Sequence, residues 1–92
     1  MYAVIGSVSI AAGQFEGAHK SLREQVVPRV SQAPGFVKGY WTATDDRSKG
    51  SSFIVFDSKQ NAENAATIAR SQPMPPGVAF TNIEIREVTA DA

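Results

Sequence analysis

The chain has 92 residues, 42% hydrophobic and 20% charged, which suits one globular domain with a small core. Nine basic residues balance nine acidic ones, which argues against a nucleic-acid partner and against an anionic membrane surface. The absence of cysteine excludes disulfides, thiolate metal sites and a cysteine nucleophile, and it fits a reducing cytoplasm.

The first stretch, "MYAVIGSVSIAAG", is apolar but carries no basic n-region. From residue 2 to 10 it alternates, with Tyr2, Val4, Gly6, Val8 and Ile10 on one face and Ala3, Ile5, Ser7 and Ser9 on the other. That period predicts a strand rather than a signal peptide. No apolar run is long enough to span a membrane as a helix.

Gly13 ends the strand, and Gln14 opens "QFEGAHKSLREQVVPRVSQ". Phe15, Ala18, His19, Leu22, Val26 and Val30 recur at spacings of three and four, the pattern of an amphipathic helix. Glu16–Lys20 and Lys20–Glu24 have the spacing of surface ion pairs. Pro28 lacks an N–H for the carbonyl four residues earlier, so a kink or break is expected near Val26–Val27. Pro34–Gly35 stops the helix.

A second strand is predicted over 36–44, a turn at "DDRSKG", and a third strand over 52–57, "SFIVFD". Ser58 can cap a helix over 59–71, where Ala62, Ala65, Ala66 and Ala69 make a smooth stripe suited to lying on a sheet. Prolines 73, 75 and 76 end that helix. Residues 79–88 read as the last strand, with Ile83 and Ile85 on one face and Asn82, Glu84 and Arg86 on the other. The order βαββαβ, with a right-handed crossover in each half, gives a ferredoxin-like α+β domain over 1–92: a four-stranded antiparallel sheet with both helices on one face.

In that architecture the uncovered face should be polar. Yet strand two carries Phe36 and Tyr40 on one side and Val37 and Trp41 on the other, and strand three sets Phe53 and Val55 against Ile54 and Phe56. Both faces are apolar, so the uncovered one is expected to meet a second copy, giving a homodimer joined through sheet faces. Lys38 and Arg86, with Glu84 or Glu87, could frame that contact.

The runs "PGFVKGYW", "SFIVFDSKQNAENAA" and "PPGV" before the final strand resemble the small dimeric α/β-barrel proteins, including the antibiotic-biosynthesis-monooxygenase-like group. The likeness rests on element order, the Pro-Gly-Phe approach to strand two and the strand-Asp-Ser-helix junction. It implies a ligand cavity between helices and sheet. Relatives of this kind include cofactor-independent monooxygenases acting on aromatic or quinol-like substrates, haem-degrading enzymes, isomerases and proteins without assigned chemistry. The haem-degrading ones resemble one another in an Asn on strand one, a Trp on strand three and a His on the second helix. Here the only tryptophan is on strand two and the only histidine on the first helix, which speaks against haem chemistry.

His19 is the candidate catalytic residue, an acid or base near neutral pH, or else a boundary histidine held by a neighbour. Trp41, Ser7 and Phe15 are the candidate ligand contacts. Trp41 offers an aromatic wall with an indole donor, with Gly39 leaving room beside it, or it is simply core. Ser7 and Ser9 could present hydroxyls to a ligand, but no elbow motif makes either a nucleophile. Asp45–Asp46 fits turn hydrogen bonding better than a metal pair. "MPPGV" reads as a rim over a cavity or a stiff connector. No metal and no cofactor is expected. The reading is a cofactor-independent monooxygenase on a small aromatic or quinol-like substrate; the alternatives are a non-catalytic, stress-associated ligand-binding dimer and an interaction module.

Overall fold

Strand β1 spans Tyr2–Ile10, α1 Phe15–Ser21, α2 Val27–Ser31, β2 Phe36–Ala43, β3 Lys49–Phe56, α3 Lys59–Ser71 and β4 Val78–Glu87 in the computed structural model, which describes residues 1–92. The four strands form one antiparallel sheet in the order β2-β3-β1-β4. This is the ferredoxin-like α+β arrangement expected from the element order. No helix is long and apolar enough to cross a membrane.

Pro28 does not break the first helix. A π turn over Leu22–Val26 joins α1 to α2 in one rod, and the Val27 N–H reaches back five residues to the Leu22 carbonyl. The wider turn absorbs the missing proline donor. Neither Glu16–Lys20 nor Lys20–Glu24 forms an ion pair; the one pair in the chain joins Arg86 to Glu84 at 2.9 Å. Exposed pairs on a helix are worth little, so their absence costs little.

Ser58 caps α3 as expected, accepting a hydrogen bond from the Asn61 N–H at 3.2 Å. Ala62 and Ala66 are wholly buried and pack with Val4 and Phe56, and Tyr2, Phe36, Ile54, Ile83 and Ile85 close around them. The alanine stripe lets α3 lie close to β1, β3 and β4. Gly35 sits at the junction of the rod with β2, at φ +77, with Asp57 and Asn61 against its Cα. Its carbonyl accepts from the Asp57 N–H at 2.9 Å.

Two β-bulges revise the expected faces. Phe36 pairs with Phe56 and Lys38 with Val55, so Val37 is the extra residue. Phe36 therefore joins Trp41 on the helix-bearing face, and Val37 leaves the alternation and lies exposed. In β4, Asn82 pairs with Ser7 and Phe80 with Val8, which skips Thr81 and turns Phe80 toward the helices together with Ile83.

Candidate functional site

The register places Trp41 on β2, Ser52 on β3, Gly6 on β1 and Ile83 on β4 in one row across the helix-bearing face, and Phe80, paired with Val8 in the next row, leans over Gly6. Two small residues thus lie between two aromatic ones. A Cβ on Gly39 would stand 3.0 Å from two atoms of the six-membered ring of Trp41, so the indole lies against the bare backbone of Gly39. A Cβ on Gly6 would stand 3.1 Å from the Ser52 Oγ and 3.4 Å from the Phe80 ring. Trp41, Ser52, Gly6 and Phe80 all lie outside the cluster around Phe56. Trp41 and Ser52 are half-buried and Phe80 is exposed.

The helices explain why this end of the sheet is thinly covered. α3 sits on β1, β3 and β4, and α2 touches β2, but α1 makes little close approach to any strand. The row therefore lies where the rod covers the sheet least. Gly6 is already roofed by Ser52 and Phe80, so a flat ring would lie on Ser52 between Trp41 and Phe80, with the Ser52 hydroxyl as its polar handle. Sequence reasoning noted the space left by Gly39 beside Trp41. It missed Ser52 and Gly6 in one row with Phe80 beside it, because that arrangement exists only through the strand register and the bulge in β4.

Phe15 and His19 come together elsewhere. Their rings stack at 5.4 Å between centroids and 19° between planes, on one flank of α1. Arg47, from the β2–β3 turn, holds its guanidinium 4.6 Å from the Phe15 ring centre. An open groove of about 1040 Å³ runs beside them, with Lys20 and Arg23 as further cations and Glu16 and Glu24 as the acids. Arg47 is the one non-glycine residue in the left-handed region, at φ 63, a conformation that costs an L-residue roughly 1 kcal/mol. "DDRSKG" gave no hint of this, since Gly50 looks like the positive-φ position. Gly50 instead belongs to β3, where its Cβ would meet the Thr42 carbonyl at 3.0 Å.

Ser7 lies on the opposite face of the sheet, paired with Ser51 and Asn82, so it shares no cavity with Trp41. Asp46 accepts hydrogen bonds from Ser48 Oγ (2.7 Å), Thr44 Oγ1 (2.7 Å) and Ser48 N–H (3.0 Å). These bonds, the one from the Ser48 hydroxyl first, lower its pKa from 3.8 to about 2. The aspartate thus ties the turn that carries Arg47. No three of the His, Asp and Glu side chains gather in a way that could hold a metal ion.

The uncovered face also reads as rows. Tyr40, Phe53, Ile5 and Glu84 lie side by side across the four strands, followed by Lys38, Val55, Ala3 and Arg86. Its apolar half is on β2 and β3, where Tyr40 is 59% and Phe53 47% exposed.

No protein-family description matches the chain, and no curated protein does. Among solved structures it is similar to a point mutant of MhuD crystallised with two manganese protoporphyrin IX molecules per active site. The two are 18% identical, the match covers 100% of this chain and 98% of that one, and the TM-score is 0.70. At that identity the likeness is one of fold: this chain has the ferredoxin-like α+β fold of MhuD, the fold implied by its resemblance to the monooxygenase-like α/β-barrel proteins.

Proposed function

We propose that the row of Trp41, Ser52 and Gly6, with Phe80 beside it, floors a trough beneath the first helical rod, and that the protein binds a flat, small aromatic molecule of the quinol type there and oxidises it as cofactor-independent monooxygenases do. The observation that carries the reading is the row Trp41–Ser52–Gly6 with Phe80 beside it, two aromatic walls on either side of Ser52. Such a slot suits a planar ring, and a quinol hydroxyl can pair with the Ser52 Oγ. MhuD, which shares the fold, holds planar porphyrins in its active site, which supports a planar ligand here. The positions of the single histidine and the single tryptophan favour a quinol over haem. A quinolate can hand electrons to oxygen directly, and the oxidised carbon takes one oxygen atom while the other leaves as water.

Trp41 is the only tryptophan, so its emission reports the trough alone. Titration with naphthoquinols, flat phenols and haem, with oxygen uptake recorded in parallel, separates the readings. Saturable quenching with uptake is expected. Quenching without uptake would replace the enzyme by a binding protein on the same site, and a silent Trp41 across the panel would end the trough reading. His19 stands on the flank of α1 rather than in the Trp41 row, and its acid–base role is a separate claim. With His19 stacked on Phe15 outside the Trp41 row, His19→Ala should leave turnover and stability nearly unchanged; loss of turnover would bring His19 into the chemistry.

The partner proposed for the uncovered face is a second copy of the chain, seated on Tyr40, Phe53, Val55 and Ile5.

A further inference from the structure

We infer that the groove on the flank of α1 is a second binding site, independent of the trough, for a planar aromatic ring that carries an anionic group. Three features of the groove converge on that ligand. The Phe15–His19 stack ends in an exposed imidazole, a face on which another flat ring continues the stack. Arg47 stiffens the stack by resting on Phe15 from a strained backbone position. Strain of that kind persists where the surroundings hold it, and here Asp46 holds the turn through Thr44 and Ser48.

The charges supply the second half of recognition. Arg23 lies one turn beyond His19 on the same groove, with Lys20 beside it, and neither has an ion pair in the chain. A guanidinium without a carboxylate partner is a ready fork for an anion. Glu16 and Glu24 line the groove too, and they restrict where the negative group can sit. Three permanent cations against two carboxylates leave the groove positive on balance, in a chain whose net charge is zero. The site therefore selects a single acidic group attached to a ring, with the ring on His19 and the acid on Arg23.

The test uses 2-naphthoate and its neutral counterpart 2-naphthol on the full chain, followed by proton NMR. The single histidine marks the groove and the single tryptophan indole N–H marks the trough. With 2-naphthoate the His19 ring resonances should shift saturably while the Trp41 indole N–H stays in place. Binding should weaken about fivefold or more in Arg23→Gln, as the loss of one exposed charge-assisted contact implies, and it should also weaken as salt is raised. The salt series needs no variant and stands even if Arg23→Gln is poorly folded. Equal affinity for 2-naphthol, affinity unchanged by salt, or an unmoved His19 would each overturn the assignment. A shift of the Trp41 indole alone would overturn it as well, by placing the acid in the trough.

Discussion

Gly39 lacks a side chain, and the indole of Trp41 occupies the space that leaves. Gly39→Ala places a methyl carbon 3.0 Å from two indole carbons, tighter than most carbon contacts, so the ring must give way by a few tenths of an ångström. The expected result is a shifted Trp41 emission maximum and weakened quenching by quinols, at a stability cost of about 1 kcal/mol. An unchanged spectrum would mean that the indole does not rest on Gly39. Asp46 makes a prediction in pH. Its folded pKa lies below its ordinary value, so its contribution to the turn is complete above about pH 4 and is lost as pH falls through about 2. Protection of the Ser48 amide, relative to its intrinsic exchange rate, should fall over that window, and Asp46→Asn should flatten the dependence. The hydrogen-bonding role of this aspartate was legible from "DDRSKG", because Asp and Ser close turns through their own side chains. The facing of Phe36 was not. A bulge depends on which partner each residue meets, and Val37 carries no local mark of being skipped.

At the scale of elements the periodicities carried most of the fold. β1 and α3 run over the residues that alternation, capping and the alanine stripe indicate. β3 begins at Lys49, earlier than expected, because "KGSS" looks like loop. Those polar residues are strand because β3 is an inner strand, paired with β1 on one side and β2 on the other. Pairing on both edges outweighs weak propensity. The π turn was foreseen only as a disturbance near Pro28: sequence shows where a helix loses a donor, not whether it kinks or widens. The alanine stripe gives a sharper test. Ala66 has no exposed surface and touches the cluster of Val4 and Phe56, so Ala66→Leu has nowhere to put its extra carbons. Overpacking of this kind costs roughly 1–3 kcal/mol, read as a lower denaturant midpoint with an unchanged slope. A neutral outcome would mean that α3 can lift from the sheet at little cost.

For the whole molecule, surface area bears on the proposed pairing. A compact monomer of this mass exposes about 5200 Å² by the usual scaling, whereas this chain exposes 6083 Å². The excess, about 900 Å², is close to the roughly 800 Å² that each partner contributes to a standard interface. Only five hydrophobic residues are buried, while Tyr40 and Phe53 stand exposed on the uncovered face. These quantities fit a chain that completes its burial against another copy, with the row Tyr40–Phe53–Ile5 at the contact. Sedimentation at micromolar concentration should give twice the chain mass, and the melting temperature should rise with concentration. Phe53→Asp puts a charge at the centre of the row, on a face the single chain leaves open, so it should yield a folded monomer with native circular dichroism. A wild-type monomer at that concentration would remove the second copy as the occupant. Dimeric Phe53→Asp would instead move the contact to another surface, such as the free edge of β2 or β4.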